Sequence, residues 1–282
     1  MTTTHDDIVL ELSGVTLHND LGDEELVHGV SFSLRRGGVI GIVGESGSGK
    51  SLTCRAILGL LPQYLEVSGG RIELFGRDAA SLTPKEWTQV RGTRISAVFQ
   101  DPASYLNPSI RVGKQVQEVL RVKRGLGRRE AKARTLELFD AVQLRDPAYV
   151  YQQYTHELSG GMLQRVLIAS AIALEPDILI ADEATTALDV TVQAEILELL
   201  ASLKESTGLS LIVVSHDLAV VAQLCDEVLV MKDGSVVEHG VTRDILENPQ
   251  HEYSRLLISE HEQYGLERYL VEPIGEREFD YV

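Results

Sequence analysis

Cysteine is scarce in this chain, positive charge is in deficit, and no long apolar run is present. Two cysteines, Cys54 and Cys225, stand far apart in 282 residues and form neither a CxxC pair nor a Cys/His cluster. That pattern signals no disulfide framework and no zinc site, and it suits a reducing compartment. Only 26 Lys and Arg face 42 Asp and Glu, a net charge of -16. Such a chain repels the phosphates that dominate nucleic-acid affinity, which excludes nucleic acid as its main partner. No apolar stretch reaches the roughly 18 residues that a membrane span requires. The opening "MTTTHDDIVLELSG" also lacks the basic start and apolar core of a secretory leader. The expectation is a soluble chain, or one held at a membrane by other proteins.

What is present is ordinary globular composition, with 44% hydrophobic and 24% charged residues, which excludes disorder and fibrous repeats. The length suits one large domain or a domain with an inserted lobe. Residues 8–17 and 29–34 alternate like half-exposed strands around the polar turn "NDLGDEE", predicting an antiparallel entry sheet. "VIGIVG", "ISAVF", "ILIAD" and "LIVVS" are short β-branched runs without alternation, the pattern of parallel strands covered on both faces by helices. "LVMKDGSVVEHG" sets Asp233-Gly234 between apolar arms, a hairpin signal that ends the sheet near Gly240.

Residues 103–160 change to helical periodicity, as in "KQVQEVLRVKRG" and "RREAKARTLELFDAV", and read as an inserted helical lobe. The lobe holds ten Lys and Arg against six Asp and Glu, so it is positive while the remainder is strongly negative. It is either a solvated helical face or a surface set against anionic lipid or an acidic partner loop. Residues 244–282 are acidic and weakly periodic, and read as an accessory tail without legible chemistry.

"GESGSGKS", residues 44–51, fits G-x-x-x-x-G-K-[ST] between the strand "VIGIV" and the helical run "SLTCRAILGLL". Glycines let successive N–H groups converge on phosphate oxygens, and the helix N-terminus adds partial positive charge. Lys50 would reach the β and γ phosphates, and Ser51 would ligate Mg²⁺. "ILIADEA" supplies the complementary acids at a strand end. Asp182 would hold Mg²⁺ through its water shell, and Glu183 would orient the attacking water or take its proton. Alone, an acidic pair after a strand is commonly a plain exposed turn; beside residues 44–51 it gains meaning. His216 in "LIVVSHD" and Gln100 after "RISAVF" reach the same edge of the sheet. A lone strand-end histidine is usually structural, and only this context turns it toward the γ-phosphate. Gln100 could touch Mg²⁺ or the water, at the junction with the helical lobe.

A second glycine pair needs its own explanation. Ser159, Gly160 and Gly161 precede the helical run "MLQRVLIASAIAL", so Ser159 resembles an N-cap and the glycines let an anion approach exposed N–H groups. A second cradle is redundant for one nucleotide in one chain. It is required if each cradle faces the other across a head-to-tail dimer with ATP between.

With "ALD" at residues 187–189, these segments resemble, in order and spacing over residues 8–240, the Walker A, Q-loop, signature, Walker B, D-loop and H-loop of ABC-transporter ATP-binding subunits. "VGESGSGKS", "FQDPASYLNP" and "NPQHEYS" are similar to segments of the dipeptide, oligopeptide and nickel importer ATPases. The resemblance implies a P-loop NTPase core with an antiparallel β subdomain and an inserted α-helical subdomain, an ABC nucleotide-binding domain over residues 1–243. It implies ATP and Mg²⁺ as ligands. Gly44, Glu45, Ser46, Gly47, Ser48, Gly49, Lys50, Ser51 and Leu52 would contact the nucleotide. Ser159, Gly160, Gly161 and Asp189 would contact a partner's nucleotide, and Ser51, Gln100 and Asp182 would hold the metal.

The implied partners are a second ATP-binding subunit, identical or paralogous, two transmembrane permease subunits and an extracytoplasmic binding protein. The chain would then sit peripherally on the cytoplasmic side of the membrane. Three positions depart from the family pattern. Leu17 and His18 stand where an aromatic residue usually stacks on adenine, Gly38 stands where Glu is common, and Glu252 stands where proline is expected. Since no cysteine follows Cys225, an iron-sulfur cluster seen in some relatives is not expected. The competing readings are a non-transport ABC ATPase of the DNA-repair or translation type, a regulatory module without turnover, and an importer ATPase for nickel or another non-peptide solute.

Overall fold

A computed structural model describes residues 7–184 and 188–262. Its strands are β1 (Ile8–Asn19), β2 (Glu24–Arg35), β3 (Val39–Val43), β4 (Leu65–Leu74), β5 (Arg77–Asp78), β6 (Ile95–Val98), β7 (Ile178–Asp182), β8 (Ser210–Ser215), β9 (Glu227–Lys232) and β10 (Ser235–Val241). The helices are α1 (Lys50–Ile57), α2 (Pro84–Val90), α3 (Pro102–Tyr105), α4 (Val112–Arg124), α5 (Arg128–Ala141), α6 (Pro147–Val150), α7 (Gly160–Ile172), α8 (Val190–Thr207), α9 (Leu218–Leu224), α10 (Thr242–Glu247) and α11 (Glu252–Glu262).

Two sheets form. One is antiparallel in the order β2-β1-β4-β5; the other runs β10-β9-β3-β8-β7-β6, parallel except for β10, which returns from β9 through Asp233-Gly234. Every residue of β3, β7 and β8 is buried, as expected of strands covered on both faces. The cover differs between faces, however. Ile40, Ile42, Ile178, Ile180, Ile212 and Val214 pack in one core with the antiparallel sheet and α1, while Leu179, Ala181, Leu211 and Val213 pack in the other with α7, α8 and α9. The sequence expectation of helices on both faces is therefore corrected: one face is largely sheet on sheet. A continuous apolar strand shows that both faces are buried but not by what. The hydrogen bond from His28 N–H to the Gly234 carbonyl, 2.8 Å, stitches the two sheets together.

Helices α3 to α6 occupy the basic stretch, and α4 packs on α5 around Val116, Leu120, Leu138 and Phe139. Arg165 of α7 anchors this lobe: its Nη1 donates to the Val142 carbonyl at 2.9 Å and its Nη2 to Glu195 of α8 at 2.8 Å. The stretch set aside as a tail carries α10 and α11, and Tyr253, Leu257 and Ile258 of α11 belong to the main core, where α11 meets α9. Residues 263–282 of that stretch, and Ala187 of the "ALD" segment, lie outside the described residues.

Candidate functional site

Four adjacent parallel strands deliver most of the candidate residues to one edge. Val43 pairs with Ser215, Asp182 with Val214, and Val98 with Ala181, so β3, β8, β7 and β6 end almost level. The loop after β3, His216 after β8, Glu183 after β7 and Gln100 just past β6 thus leave the sheet side by side at its carboxyl edge, where ligands of such sheets bind.

The loop turns sharply into α1. Gly44 has φ 150°, and a Cβ there would stand 2.1 Å from the Met231 carbonyl oxygen, so only glycine lets the chain leave β3 this close to β9. Glu45, Ser46 and Gly47 face solvent, whereas Ser48 and Gly49 are buried. Lys50, 4% exposed, donates from Nζ to the Gly44 and Glu45 carbonyls, each at 2.7 Å, and to Ser48 Oγ at 3.5 Å. Burial lowers its pKa from the ordinary value, and the charges of Glu183 and Asp182 oppose that shift. The ammonium is therefore held inside the loop with acids nearby. The partly buried Leu52 side chain packs against the core between the sheets.

Ser51 Oγ donates to Asp182 Oδ1 at 2.9 Å. Asp182 is 6% exposed; burial raises its pKa, and the Ser51 hydrogen bond opposes the rise. A hydroxyl and a carboxylate are the hard oxygen donors that Mg²⁺ takes from proteins, with water and phosphate completing its shell. Among the described residues no group of three or more His, Cys, Asp and Glu could hold a metal. The donors present fit an ion that arrives with its nucleotide.

Glu183 is half-buried, with its N–H donating to the Val214 carbonyl at 3.0 Å. Its φ of 51° is left-handed, an uncommon and costly backbone for a non-glycine residue and one that concentrates at functional sites. His216 and Gln100 are exposed at the same edge.

A second group gathers elsewhere. Ser159 caps α7, its Oγ accepting the Met162 N–H at 3.3 Å, and Ser159 and Gly160 are exposed. Asp189 caps α8, accepting the Val192 N–H at 3.0 Å. The two helix starts touch: a Cβ on Gly161 would lie 2.6 Å from Val192 Cγ1, so glycine is needed there for space. α7 packs on β6, and β8 and β7 stand between β6 and the β3 loop, about 14 Å of sheet at the usual strand spacing. Residues 159–161 and 189 thus lie at two touching helix starts, on elements other than the loop that holds Lys50.

At the expected adenine contact, Leu17 is 0% exposed in the core between the sheets and unavailable for stacking, while His18 faces Asp23 at 3.5 Å. Two contributors escaped the sequence reading. Gln193 of α8 donates to Asp217, the neighbour of His216, at 3.2 Å, and nothing in its pattern marked it. The Tyr253 hydroxyl accepts the Glu45 N–H at 2.9 Å, and its only signal was its place in "NPQHEYS".

Known proteins are similar to this chain in sequence and in fold. A family model described as ABC transporter matches residues 27–186, more than half of the chain. The chain is 45% identical over 255 residues to the probable D,D-dipeptide transport ATP-binding protein DdpD of Escherichia coli (strain K12), spanning 90% of this chain and 77% of the relative. It is 47% identical over 238 residues to the dipeptide transport ATP-binding protein DppD of Bacillus subtilis (strain 168), spanning 84% and 71%. Among solved structures it is similar to cbiO1 from Clostridium perfringens, part of the ABC transporter complex cbiONQ, with TM-score 0.76, 27% identity and coverage of 93% of this chain and 98% of that one. It is also similar to the ATP-binding cassette MJ0796, seen as a dimer in a post-hydrolysis state bound to ADP and Pi, with TM-score 0.74, 30% identity and coverage of 83% and 98%. Likeness of this extent makes the chain a member of the ABC transporter family and one of its ATPase subunits.

Proposed function

We propose that this chain energises a peptide importer as one half of a head-to-tail ATPase dimer. The observation that supports the dimer is that the chain carries two anion-reading groups on different elements. One buried cradle surrounds Lys50 between β3 and α1, and one open helix end at Ser159 and Gly160 starts α7, which packs on β6, three strands from β3 in the sheet. A second copy or a paralogue, turned head to tail, sets each open end against the other's nucleotide. The relatives' names as dipeptide transport proteins support peptide as the cargo class.

In this reading residues 44–51 wrap the phosphates with backbone N–H groups, and Lys50 turns from the Gly44 and Glu45 carbonyls to the β and γ oxygens. Ser51 and Asp182, with Gln100 beside them, would hold Mg²⁺, and the ion would supply neutralisation of charge on the phosphates. Glu183 takes a proton from the water that attacks the γ-phosphorus as the bond to ADP breaks, a contribution of roughly 10²–10⁴-fold. His216 faces the γ-phosphate. Ser159, Gly160, Gly161 and Asp189 complete the partner's site, and closure therefore requires ATP.

The coupled proteins are two permeases and an extracytoplasmic binding protein, which hold the chain peripherally on the cytoplasmic face. The basic helices of residues 103–160 form the face toward the permease, and residues 1–243 make the nucleotide-binding domain with 244–282 as its extension.

Tagging the chain, solubilising native membranes gently and identifying what copurifies tests this reading. Two polytopic permeases with a binding protein that takes peptides are expected. Recovery of soluble proteins alone would point to a non-transport ATPase, and a binding protein specific for nickel or another small solute would reassign the cargo.

A further inference from the structure

Helix α11 reaches the loop of residues 44–51 through the Tyr253 hydroxyl. Its approach is fixed by Glu238 of β10, whose two carboxylate oxygens accept the Gln250 and His251 N–H groups at 2.8 and 3.1 Å. His251 Nδ1 in turn accepts the Tyr253 N–H at 3.1 Å, which sets the first turn of α11. The Tyr253 side chain is 3% exposed, packed in the main core, with the Lys232 ammonium 5.0 Å from the centre of its ring. Little freedom remains to that ring. At its tip the hydroxyl accepts the Glu45 N–H at 2.9 Å and meets the Glu45 carboxylate.

The bonded N–H belongs to the peptide unit joining Gly44 to Glu45, and the carbonyl of the same unit accepts Lys50 Nζ at 2.7 Å. In a trans peptide the two groups point in opposite directions. Holding the N–H toward α11 therefore aims the carbonyl at Lys50. The unit needs holding, because glycine on one side gives it rotational freedom that other residues lack.

We propose that Tyr253 is a positioning residue of the phosphate loop, its hydroxyl locking the 44–45 peptide so that Lys50 is kept in place for the phosphates. Helix α11 thereby sets nucleotide affinity without touching nucleotide. The proposal rests on residues 44–51 binding ATP. Preorganisation of this kind acts on binding, since an unlocked loop must be ordered each time ATP arrives.

Tyr253→Phe removes the hydroxyl and keeps the ring. Glu45 is exposed, so water can take over its N–H, and the fold should survive with a midpoint of thermal unfolding within about 3 °C of wild type. One lost hydrogen bond predicts ATP binding weaker by roughly three- to tenfold, with KM raised alike and kcat at saturating ATP within about twofold. Amide hydrogen exchange of the peptide spanning residues 44–51 should also speed up without nucleotide. Wild-type affinity in the variant, or losses of kcat and KM that merely follow a lowered unfolding temperature, would overturn the proposal. Unchanged exchange in that peptide would do so as well. Failure of the wild type itself to bind ATP would instead strike the underlying assignment of residues 44–51.

Discussion

The two glycines at the start of α7 should separate stability from function when each is replaced by alanine. Among the described residues the new methyl at Gly160 meets only Leu188 Cδ2, at 3.4 Å, and φ there is not positive. Alanine in a compatible backbone restricts the unfolded chain and stabilises by about 0.4–1 kcal/mol. For a chain of this size that raises the unfolding midpoint by about 1–4 °C. At Gly161 the methyl lands 2.6 Å from Val192 Cγ1 on α8, and valine's stiff χ1 leaves it little room to turn away. Overpacking of about 1–3 kcal/mol exceeds the same alanine gain, for a net loss of about 1 kcal/mol. Both methyls stand at the exposed helix start assigned to the partner's phosphate. Calorimetry without nucleotide should therefore rank Gly160→Ala at or above wild type and Gly161→Ala below it. ATPase activity of the assembled transporter should fall in both. In Gly161→Ala, a second change, Val192→Ala, should recover part of the stability. Wild-type turnover by Gly160→Ala would refute the reasoning, because a phosphate read by that helix end cannot ignore a methyl group placed before it.

Other variants probe the strand-end group. Glu183→Gln should cut turnover by 10²-fold or more while ATP stays bound, and gel filtration with ATP should then show a trapped dimer; persistent hydrolysis would remove Glu183 from its role. Burial raises the Asp182 pKa, so its ionised form costs the nucleotide-free fold stability at neutral pH, a cost that disappears as pH falls below its ordinary pKa. Asp182→Asn should accordingly unfold at higher temperature than wild type at pH 7, with the margin shrinking on acidification toward pH 4, and it should lose Mg²⁺-dependent hydrolysis. Exchanging several of Arg121, Lys123, Arg124, Arg128, Arg129, Lys132 and Arg134 for neutral residues should weaken flotation with membranes that carry the permease. Unchanged flotation would mark that face as merely solvated.

Where the chemistry needed a fixed order of residue types along the chain, the sequence was legible. A phosphate loop requires glycine wherever the backbone must pass close to its surroundings, as at Gly44, and a lysine and hydroxyl at one spacing, so residues 44–51 stand out unaided. The place of the acids and His216 at the sheet edge was legible for a related reason: a parallel strand buried on both faces is a conspicuous run, and its last residue marks an edge. The antiparallel sheet was only half visible, because β4 at Leu65–Leu74 carries two glycines and a run of exposed positions without regular alternation, which weakens the pattern that identifies a strand. Its docking over the Ile40 and Ile180 face left no trace, since apolar residues look alike whether a sheet or a helix covers them.

Tyr253 shows where such reading ends. Its neighbours in sequence are Glu252 and Ser254, and the local pattern is that of a short surface helix. What gives it meaning is a contact with Glu45, 208 residues earlier in the chain. That contact exists because Glu238 captures two N–H groups at the turn before α11 and so swings the helix back over the loop. Neither the capture nor the swing requires a distinctive residue, as a carboxylate and two backbone amides are available almost anywhere. Long-range positioning of this kind is carried by direction rather than by composition, and direction appears only once the chain is folded.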